Sequence, residues 1–351
     1  MQPRLTHLLA SWFCCTLIAC SANNATTGPT PTYAQPAPAP TQALLTLSLT
    51  PESIPTTVAP TAPPAPLTPI PQSATTGFSI RFFGSSTNDL DRIKIPLGVI
   101  DSAGRLTSSY PVNVGNDLTI EFWMKANATD NTAPDCDGWY YGNIIIDRDV
   151  FGDGDYGDYG IAICNGKLVV GVSVGNDDRL LKGNITVTDG NWHHVAVTRA
   201  NDGRLRLFVD GQPDGAIAGP VGRIDYRLNR NTTYPNSDPY LVLGAEKHDY
   251  PGSRYYNGWL DDLRLSRIVR YTAAFTPPTA PHALDSDTLA LYRFDEGSGT
   301  TINDSANGGQ SSGELKPRPG GATQHWSDDV PFRINGGPLI PQAYLPVIIR
   351  S

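Results

Sequence analysis

From Phe78 onward the chain consists of short segments in which apolar and polar side chains alternate. In the segment NDLTIEFWMKA, one face carries Leu118, Ile120, Phe122 and Met124. The opposite face carries Thr119, Glu121, Trp123 and Lys125. The same alternation recurs in GKLVVGVSV, RLRLFVDGQ, PYLVLGAE, GWLDDLRLSR and TLALYRFDE. Because side chains alternate with a period of two along a β-strand, each of these segments is predicted to be a strand.

Glycine, asparagine and aspartate separate the predicted strands, as is typical of turns. Asp210-Gly211, directly after RLRLFV, is a strong signal for a two-residue hairpin. No long segment shows a convincing 3.6-residue period, which an amphipathic helix would require. The number and spacing of the strands predict an all-β fold, an antiparallel β-sandwich or jelly roll.

Residues 1–20 are typical of an export signal. Arg4 supplies a positive charge, and the apolar run that follows is too short to span a bilayer as a mature helix. The run ends in Leu17-Ile18-Ala19-Cys20, which resembles the bacterial lipobox. This resemblance implies cleavage before Cys20 and lipidation of its thiol. The alternative is an ordinary signal peptide with a chance cysteine.

Residues 21–75 are predicted to form a disordered stalk. They contain 13 of the 31 prolines and one charged residue, Glu52. Such a composition buries too little apolar surface to offset the entropy of ordering, and proline stiffens the segment. A lipid anchor followed by such a stalk would hold the folded domain away from a membrane. We therefore expect an exported protein, at the cell surface or outer membrane as a lipoprotein, or secreted.

Cysteine usage agrees with export. Once the signal has been removed, only Cys136 and Cys164 remain in the folded domain. In an exported domain the simplest expectation is one disulfide, and two free thiols are the alternative. The net charge of −8 and the lack of a basic patch argue against a nucleic-acid partner. Membrane contact is expected through the lipid anchor only.

Four motifs in order resemble a known family: LTIEFWMKA, DGNWHHVAVTRANDGRLRLFVDG, LVLGAEKHD and YYNGWLDDLRLSR. Together they are similar to a laminin G-like, concanavalin A-like jelly roll, a fold also found in glucanases. TLALYRFDEGSGTTINDSANGG resembles the strand that accompanies such domains. The resemblance implies a domain over residues 76–333, followed by a tail at 334–351. It implies the fold and says little about function.

Two features of the predicted strands bear on metal binding. His193 and His194 are adjacent on a strand and therefore point to opposite faces, so we expect one packed and one exposed residue rather than a shared metal. Asp261 is expected on the inward face with Trp259, Leu263 and Leu265. A buried carboxylate needs hydrogen bonds or a cation. Backbone amides are one solution, and a structural calcium between the sheets, as the resemblance implies, is the other.

The acidic stretch DRDVFGDGDYGDYG connects two predicted strands. The resemblance implies calcium at a rim of the sandwich, and clustered aspartates separated by glycine could supply several of the oxygens that calcium needs. The candidate ligands here are Asp147, Asp149, Asp153 and Asp155. The alternative is a solvated turn rich in glycine. The spacing is not that of an EF-hand, because Gly157 falls at a ligand position and no glutamate closes the loop.

No catalytic motif is found. The Glu-x-Asp-x-x-Glu strand of retaining laminarinase-type enzymes is missing, and the adjacent aspartates of WLDDLRLS point to opposite faces. We therefore expect a non-catalytic module that binds a carbohydrate or a surface protein, with possible assistance from calcium. The aromatic candidates for the binding site are Trp139, Tyr141, Tyr156 and Tyr159. The alternative is a glycoside-active enzyme whose carboxylate pair the spacing conceals.

Overall fold

The computed structural model describes residues 77–84, 91–150, 157–248, 253–318 and 324–332. These residues belong to the second of two units into which the chain divides, Thr68–Ser351. The expected lipidation site Cys20, the stalk, the tail and the candidates Asp153, Asp155 and Tyr156 lie outside the described residues. Within them, no helix is long and apolar enough to cross a membrane.

The described part of the chain is built almost entirely of β-strands, as the alternation predicted. In chain order they are β1 Ser79–Phe83, β2 Arg92–Pro96, β3 Gly98–Ile100, β4 Leu106–Ser109, β5 Leu118–Asn127, β6 Asn143–Arg148, β7 Gly157–Cys164, β8 Lys167–Val174, β9 Asp177–Thr186, β10 Asp189–Arg199, β11 Arg204–Val209, β12 Gln212–Ala218, β13 Tyr240–Leu243, β14 Arg254–Tyr255, β15 Asn257–Ser266, β16 Thr288–Tyr292, β17 Thr301–Ile302, β18 Gly313–Lys316 and β19 Trp326–Ser327. Two short 3₁₀ helices, Trp139–Tyr141 and Asn307–Gly309, interrupt the connections.

The strands form two large sheets. The first sheet has the order β12-β11-β10-β5-β15-β1-β19, with β16 beside the end of β15. The second has the order β17-β18-β2-β13-β6-β7-β8-β9, and β14 pairs with β6. Among the described strands every pairing is antiparallel except that of β14 with β6. Strands β3 and β4 form a separate hairpin.

The main apolar core receives side chains from both large sheets. Ile120, Phe122 and Met124 of β5 lie in one cluster with Leu168 and Val170 of β8. These residues occupy alternate positions on their strands, which is why the period of two was visible in the sequence. The predicted all-β sandwich is confirmed.

The opposite face of the first sheet is buried as well. Residues 267–287, which we call the covering segment, run from β15 to β16 over this face. The hydroxyl of Thr119 donates to the carbonyl of Ile268 (2.6 Å) and accepts from the amide of Arg270 (2.9 Å). Farther along β5, Trp123 packs edge to face against Phe332 (5.2 Å between ring centroids). The covering segment and the later residue Phe332 therefore shield this face of the first sheet, which also carries polar residues.

Asp261 does not share a face with both Trp259 and Leu263, so this expectation is wrong. Trp259 packs beside Trp123 outside the sandwich, whereas Leu263 lies in the main core. The reason is a β-bulge in β15, where the pairing with β5 shifts between Asp261 and Arg264. A bulge inserts one extra residue and reverses the alternation that follows it.

Two further predictions concern chain reversal and crosslinking. Asp210 and Gly211 join β11 to β12 with positive φ angles of 50° and 73°, as the predicted tight hairpin requires. Cys136 and Cys164 form a disulfide, which confirms the predicted pairing. The disulfide belongs to a small apolar cluster with Trp139 on the outer side of the second sheet.

Trp139 packs closely on two glycines of neighbouring strands. A Cβ atom on Gly160 of β7 would lie 1.9 Å from Cδ1 of the indole, and one on Gly171 of β8 would lie 1.8 Å from Cε3. Gly160 and Gly171 are paired across the ladder. The second sheet therefore approaches the indole closely because these two positions have no side chain.

We predict that Gly171→Ala lowers the free energy of unfolding by roughly 1–3 kcal/mol, because the new methyl group forces the Trp139 ring out of its position. Gly77→Ala is a matched control, since its Cβ would meet only Asp295 Oδ1 at 3.4 Å. Denaturant unfolding of both variants measures the difference. Equal losses in the two variants would contradict the close approach of Trp139.

Candidate functional site

One rim of the second sheet gathers acidic residues from separate parts of the chain. Val242 of β13 pairs with Asp147 of β6, so the residues that follow these strands lie together. Asp149 comes directly after β6, and Glu246 and His248 follow β13. Ligand atoms of these last three side chains lie within 4.8 Å of one another. We call the following group the rim cluster: Asp147, Asp149, Asp158, Asp178, Asp238, Glu246 and His248.

His248 lies at the centre of the rim cluster. Its Nε2 is 2.6 Å from Asp238 Oδ1, and its Nδ1 is 3.2 Å from Glu246 Oε1 and 3.4 Å from Asp149 Oδ2. Burial alone would lower the pKa of His248, but hydrogen bonds to these three carboxylates raise it to about 11. The side chain is therefore an imidazolium at neutral pH, and its charge compensates part of the surrounding negative charge.

Asp147 is turned away from solvent and holds the rim together. Its Oδ1 accepts the amide of Asp149 (3.0 Å), and its Oδ2 accepts the amide of Lys247 (3.0 Å). Burial, with added repulsion from Asp149 and Glu246, raises the pKa of Asp147 to about 7. Both oxygens are committed to backbone amides, so Asp147 fixes the two loops that carry the other members of the cluster.

Lys247 is buried beneath the cluster. Its Nζ donates to the carbonyl groups of Asp238 and Tyr240, each at 3.0 Å. Burial and the nearby Arg148 lower the pKa of Lys247 to about 8. The ammonium group thus ties the segment before β13 to the loop after it and brings positive charge under the acidic rim.

Asp158 and Asp178 extend the rim cluster across β7, β8 and β9. Asp158 pairs with Ser173, which in turn pairs with Asp178. Asp158 Oδ2 accepts the hydroxyl of Ser173 (3.0 Å), while its buried Oδ1 has no hydrogen-bond partner among the described residues. Burial and then repulsion by Asp149 raise the pKa of Asp158 to about 7, and the same two causes raise the pKa of Asp178.

A shallow hollow of about 170 Å³ adjoins this end of the cluster. It is lined by Asp137, Gly138, Trp139, Tyr140, Asp178, Arg179 and Leu180. Asp178 therefore belongs to both the hollow and the rim cluster. Tyr140 also packs against Tyr141, with 4.5 Å between ring centroids, and Tyr141 is 41% exposed. Tyr140 and the carboxylate of Asp178 thus border the same depression, and Tyr141 packs against Tyr140.

The predicted aromatic candidates differ in how accessible their rings are in the structure. Trp139 and Tyr159 are each only 4% exposed, so neither ring is accessible for stacking. Tyr141 remains accessible. Tyr140, which lines the hollow, was not among the predicted site residues. Its position between Trp139 and Tyr141 is the sequence feature that could have identified it.

The predicted metal ligands do not all lie at one site in the structure. Asp149 meets Glu246 and His248, which sequence reasoning did not select because they lie about 100 residues away along the chain. Asp261 is not part of the rim cluster. It is buried on the first sheet, where burial and the neighbouring Asp262 raise its pKa well above the ordinary value.

The expectation that one of the adjacent histidines is exposed is wrong. His193 is 8% exposed and His194 is fully buried. His193 lies between Asp210 Oδ2 (2.8 Å) and Asp189 Oδ1 (3.0 Å), whereas His194 faces Glu121. The two side chains have different partners, as opposite faces of a strand require, but the covering segment buries the second face too.

Residues 100–273 match the family model described as the concanavalin A-like lectin/glucanases superfamily, Laminin_G_3. This match supports the laminin G-like, concanavalin A-like domain that the motifs predicted. None of the curated proteins matches the chain.

Solved structures that resemble the chain include a putative carbohydrate-binding protein from Bacteroides ovatus, with 16% identity and a TM-score of 0.42, over 69% of this chain and 59% of that one. A pentraxin from Limulus polyphemus has 16% identity and a TM-score of 0.36, over 56% of this chain and 79% of that one. Domains LG4-5 of mouse laminin α1 also have 16% identity and a TM-score of 0.36, over 68% of this chain and 56% of theirs. The alignment thus spans little more than half the length of the first and third of these chains.

The charge state of His248 generates a prediction about pH and stability. Its folded-state pKa of about 11 exceeds the ordinary value of 6.5. The stability that the charged His248 contributes is therefore fully present below pH 6.5 and is lost as the pH rises through 11. The difference in free energy of unfolding between wild type and His248→Gln should therefore shrink between pH 6.5 and 11. Denaturant unfolding at several pH values measures this difference, and a difference that grows with pH would contradict the assigned imidazolium.

Proposed function

We propose that the folded domain is a non-catalytic binding module, held outside the cell, that recognises a glycan or a protein at the hollow and the adjoining rim cluster. One observation carries this proposal: Asp178 joins an accessible tyrosine-lined hollow to a cluster of carboxylates. Binding sites commonly combine aromatic surface with a few polar groups that fix the orientation of the ligand.

A glycan suits this combination because a sugar has an apolar ring face and a polar edge of hydroxyl groups. Tyr140 offers ring surface in the hollow, with the exposed Tyr141 packed against it, while Asp178 and Arg179 offer an acceptor and a donor at the same depression. A protein ligand with an aromatic or basic side chain would use the same groups. The hollow itself is shallow, which favours recognition of an exposed chain end or surface over enclosure of a free small molecule.

Calcium assistance is part of the proposal. The carboxylates of Asp149 and Glu246 converge at the rim, and Asp158 Oδ1 is a buried oxygen without a partner among the described residues. These hard oxygen donors fit calcium, which takes six to eight oxygens in flexible geometry. The positive charge of His248 repels the ion and weakens its binding. Removal of this charge would therefore strengthen the binding of calcium.

Export and anchoring complete the proposal. The disulfide between Cys136 and Cys164 is of the kind that persists in an oxidising compartment. Together with the export signal and the cysteine of the lipobox-like sequence, it supports a domain held at the outer surface through Cys20 and the proline-rich stalk.

A glycoside-active enzyme is the second candidate, and one observation favours it. The pKa of Asp158 is raised to about 7 near Asp149, and a pair of carboxyl groups in which one has a raised pKa is what glycoside hydrolysis uses. However, Asp158 is buried and already accepts a hydrogen bond from Ser173. A reducing-sugar assay on β-glucans distinguishes the two, because turnover lost in Asp158→Asn would favour the enzyme.

We predict that wild type binds ligands on a glycan array, and that Tyr140→Ala weakens this binding about tenfold, which corresponds to about 1.4 kcal/mol. Phe83→Ala is a control, because Phe83 is a partly buried aromatic at the end of β1, on the other sheet. Binding that is unaffected by Tyr140→Ala would place the ligand elsewhere. Absence of glycan binding by wild type would leave a protein as the ligand, to be tested with the same variants.

We predict that saturating calcium raises the stability of wild type by about 2.7 kcal/mol at 100 times the dissociation constant. Asp149→Asn should abolish this increase, and His248→Gln should enlarge it. Asp202→Asn is the matched control, since Asp202 pairs with Arg204 on a remote turn. Thermal unfolding with calcium and with EDTA measures the effect, and identical curves for wild type would exclude calcium assistance without excluding calcium-independent binding.

A further inference from the structure

A second group of potential ligands lies on the first sheet, under the covering segment. It consists of Glu121 on β5, His194 on the neighbouring β10 and His282 in the covering segment. Glu121 Oε2 is 3.6 Å from His194 Nε2 and 3.8 Å from His282 Nε2. All three side chains are buried, and one ligand atom from each lies within 4.8 Å of the other two. None of these residues belongs to the rim cluster.

The two imidazoles lack the hydrogen bonds that buried polar groups normally make. Neither ring nitrogen of His194 has a hydrogen-bond partner among the described residues, and neither does His282 Nε2. Leaving such groups unpaired in a dry interior is unfavourable, and natural structures contain few of them. Both rings nevertheless converge on the same carboxylate oxygen. A ligand between them would satisfy these nitrogens together.

We propose that Glu121, His194 and His282 bind a zinc ion that fastens the covering segment to the first sheet. Two imidazole nitrogens and one carboxylate oxygen are a donor set that zinc prefers. Bond lengths of about 2.0–2.1 Å in a tetrahedral site place ligand atoms about 3.3 Å apart. The two observed separations therefore need to contract by only a few tenths of an ångström.

Tyr271 supports the carboxylate ligand. Its hydroxyl donates to Glu121 Oε2 at 2.7 Å and so holds that oxygen in place facing the two histidines. Glu121, His194 and His282 are all buried. We infer that the zinc is structural, because a catalytic zinc keeps a position open for water or substrate and this site is buried under the covering segment.

The neighbouring groups orient the ligands. Arg264 donates to Glu121 Oε1 through Nε (2.9 Å) and Nη2 (2.7 Å), which leaves Oε2 to Tyr271 and the two imidazoles. Arg270 lies 3.6 Å from the same Oε1 and pairs with Asp285 at 2.8 Å. The amide of His282 donates to Asp262 Oδ2 (2.5 Å), which fixes the backbone that carries the imidazole. Such supporting contacts are a regular feature of metal sites.

The donor types separate this site from the proposed calcium site. Calcium prefers oxygen ligands alone, whereas two imidazole nitrogens select a transition metal. The two sites also lie on different sheets. Zinc binding at Glu121 and calcium binding at Asp149 can therefore succeed or fail independently.

The experiment refolds the full chain with zinc, removes loosely bound metal by dialysis and measures the zinc content of each variant. We expect one zinc ion per wild-type chain and almost none in His282→Gln. His193→Gln is the matched control, because His193 is the adjacent buried histidine and faces Asp189 and Asp210 instead. It should retain one zinc ion per chain.

Cobalt substitution gives a second readout that does not depend on stability. Cobalt bound by wild type should show the strong visible absorption of a tetrahedral site, and His282→Gln should lose it. The proposal is overturned if wild type holds no zinc after refolding, or if His282→Gln holds as much as wild type. Should His282→Gln fail to fold, Tyr271→Phe, which removes only a hydroxyl group, should weaken zinc binding measurably while His193→Gln does not.

Discussion

The structure depends on strand β5, which is hydrogen bonded on both edges and covered on both faces. Its edges pair with β10 and β15. One face contributes Phe122 to the core between the sheets, and the other carries Glu121 and Trp123 beneath later parts of the chain. Because residues 118–124 of this strand are buried, the polar groups among them need partners within the protein.

This constraint explains the ionic network outside the first sheet. Glu121 interacts with Arg264, Tyr271 and the two histidines, which come from three other segments. Although burial raises the pKa of Glu121, the nearby His194, His282 and Arg264 side chains lower it to about 2. Burial lowers the pKa of His282 to about 3, so that its imidazole is neutral. The network therefore joins an ionised carboxylate to the uncharged imidazole of His282.

The rim cluster results from a different constraint, the pairing of β6 with β13. Because these strands are neighbours, their ends bring Asp149 into contact with Glu246 and His248. The carboxylates repel one another, and the protein compensates with the imidazolium of His248 and the buried ammonium of Lys247. Strands β7 to β9 then extend the acidic surface to the tyrosine-lined hollow. Repulsion among these carboxylates, of which Asp149 is partly exposed and Asp178 exposed, is what makes this region suited to a ligand or cation.

The sequence by itself determined the all-β class, the hairpin at Asp210-Gly211 and the pairing of Cys136 with Cys164, because these follow from local periodicity, turn chemistry and the number of cysteines available. It also located the acidic loop that begins at Asp149. Only the tertiary structure decided that both His193 and His194 are buried, that a bulge at Asp261 reverses the facing of β15, and that His282 lies beside Glu121. The physical reason is that alternation along one strand reports which side chains share a face, whereas burial of that face and the partners opposite it depend on segments far away in the chain.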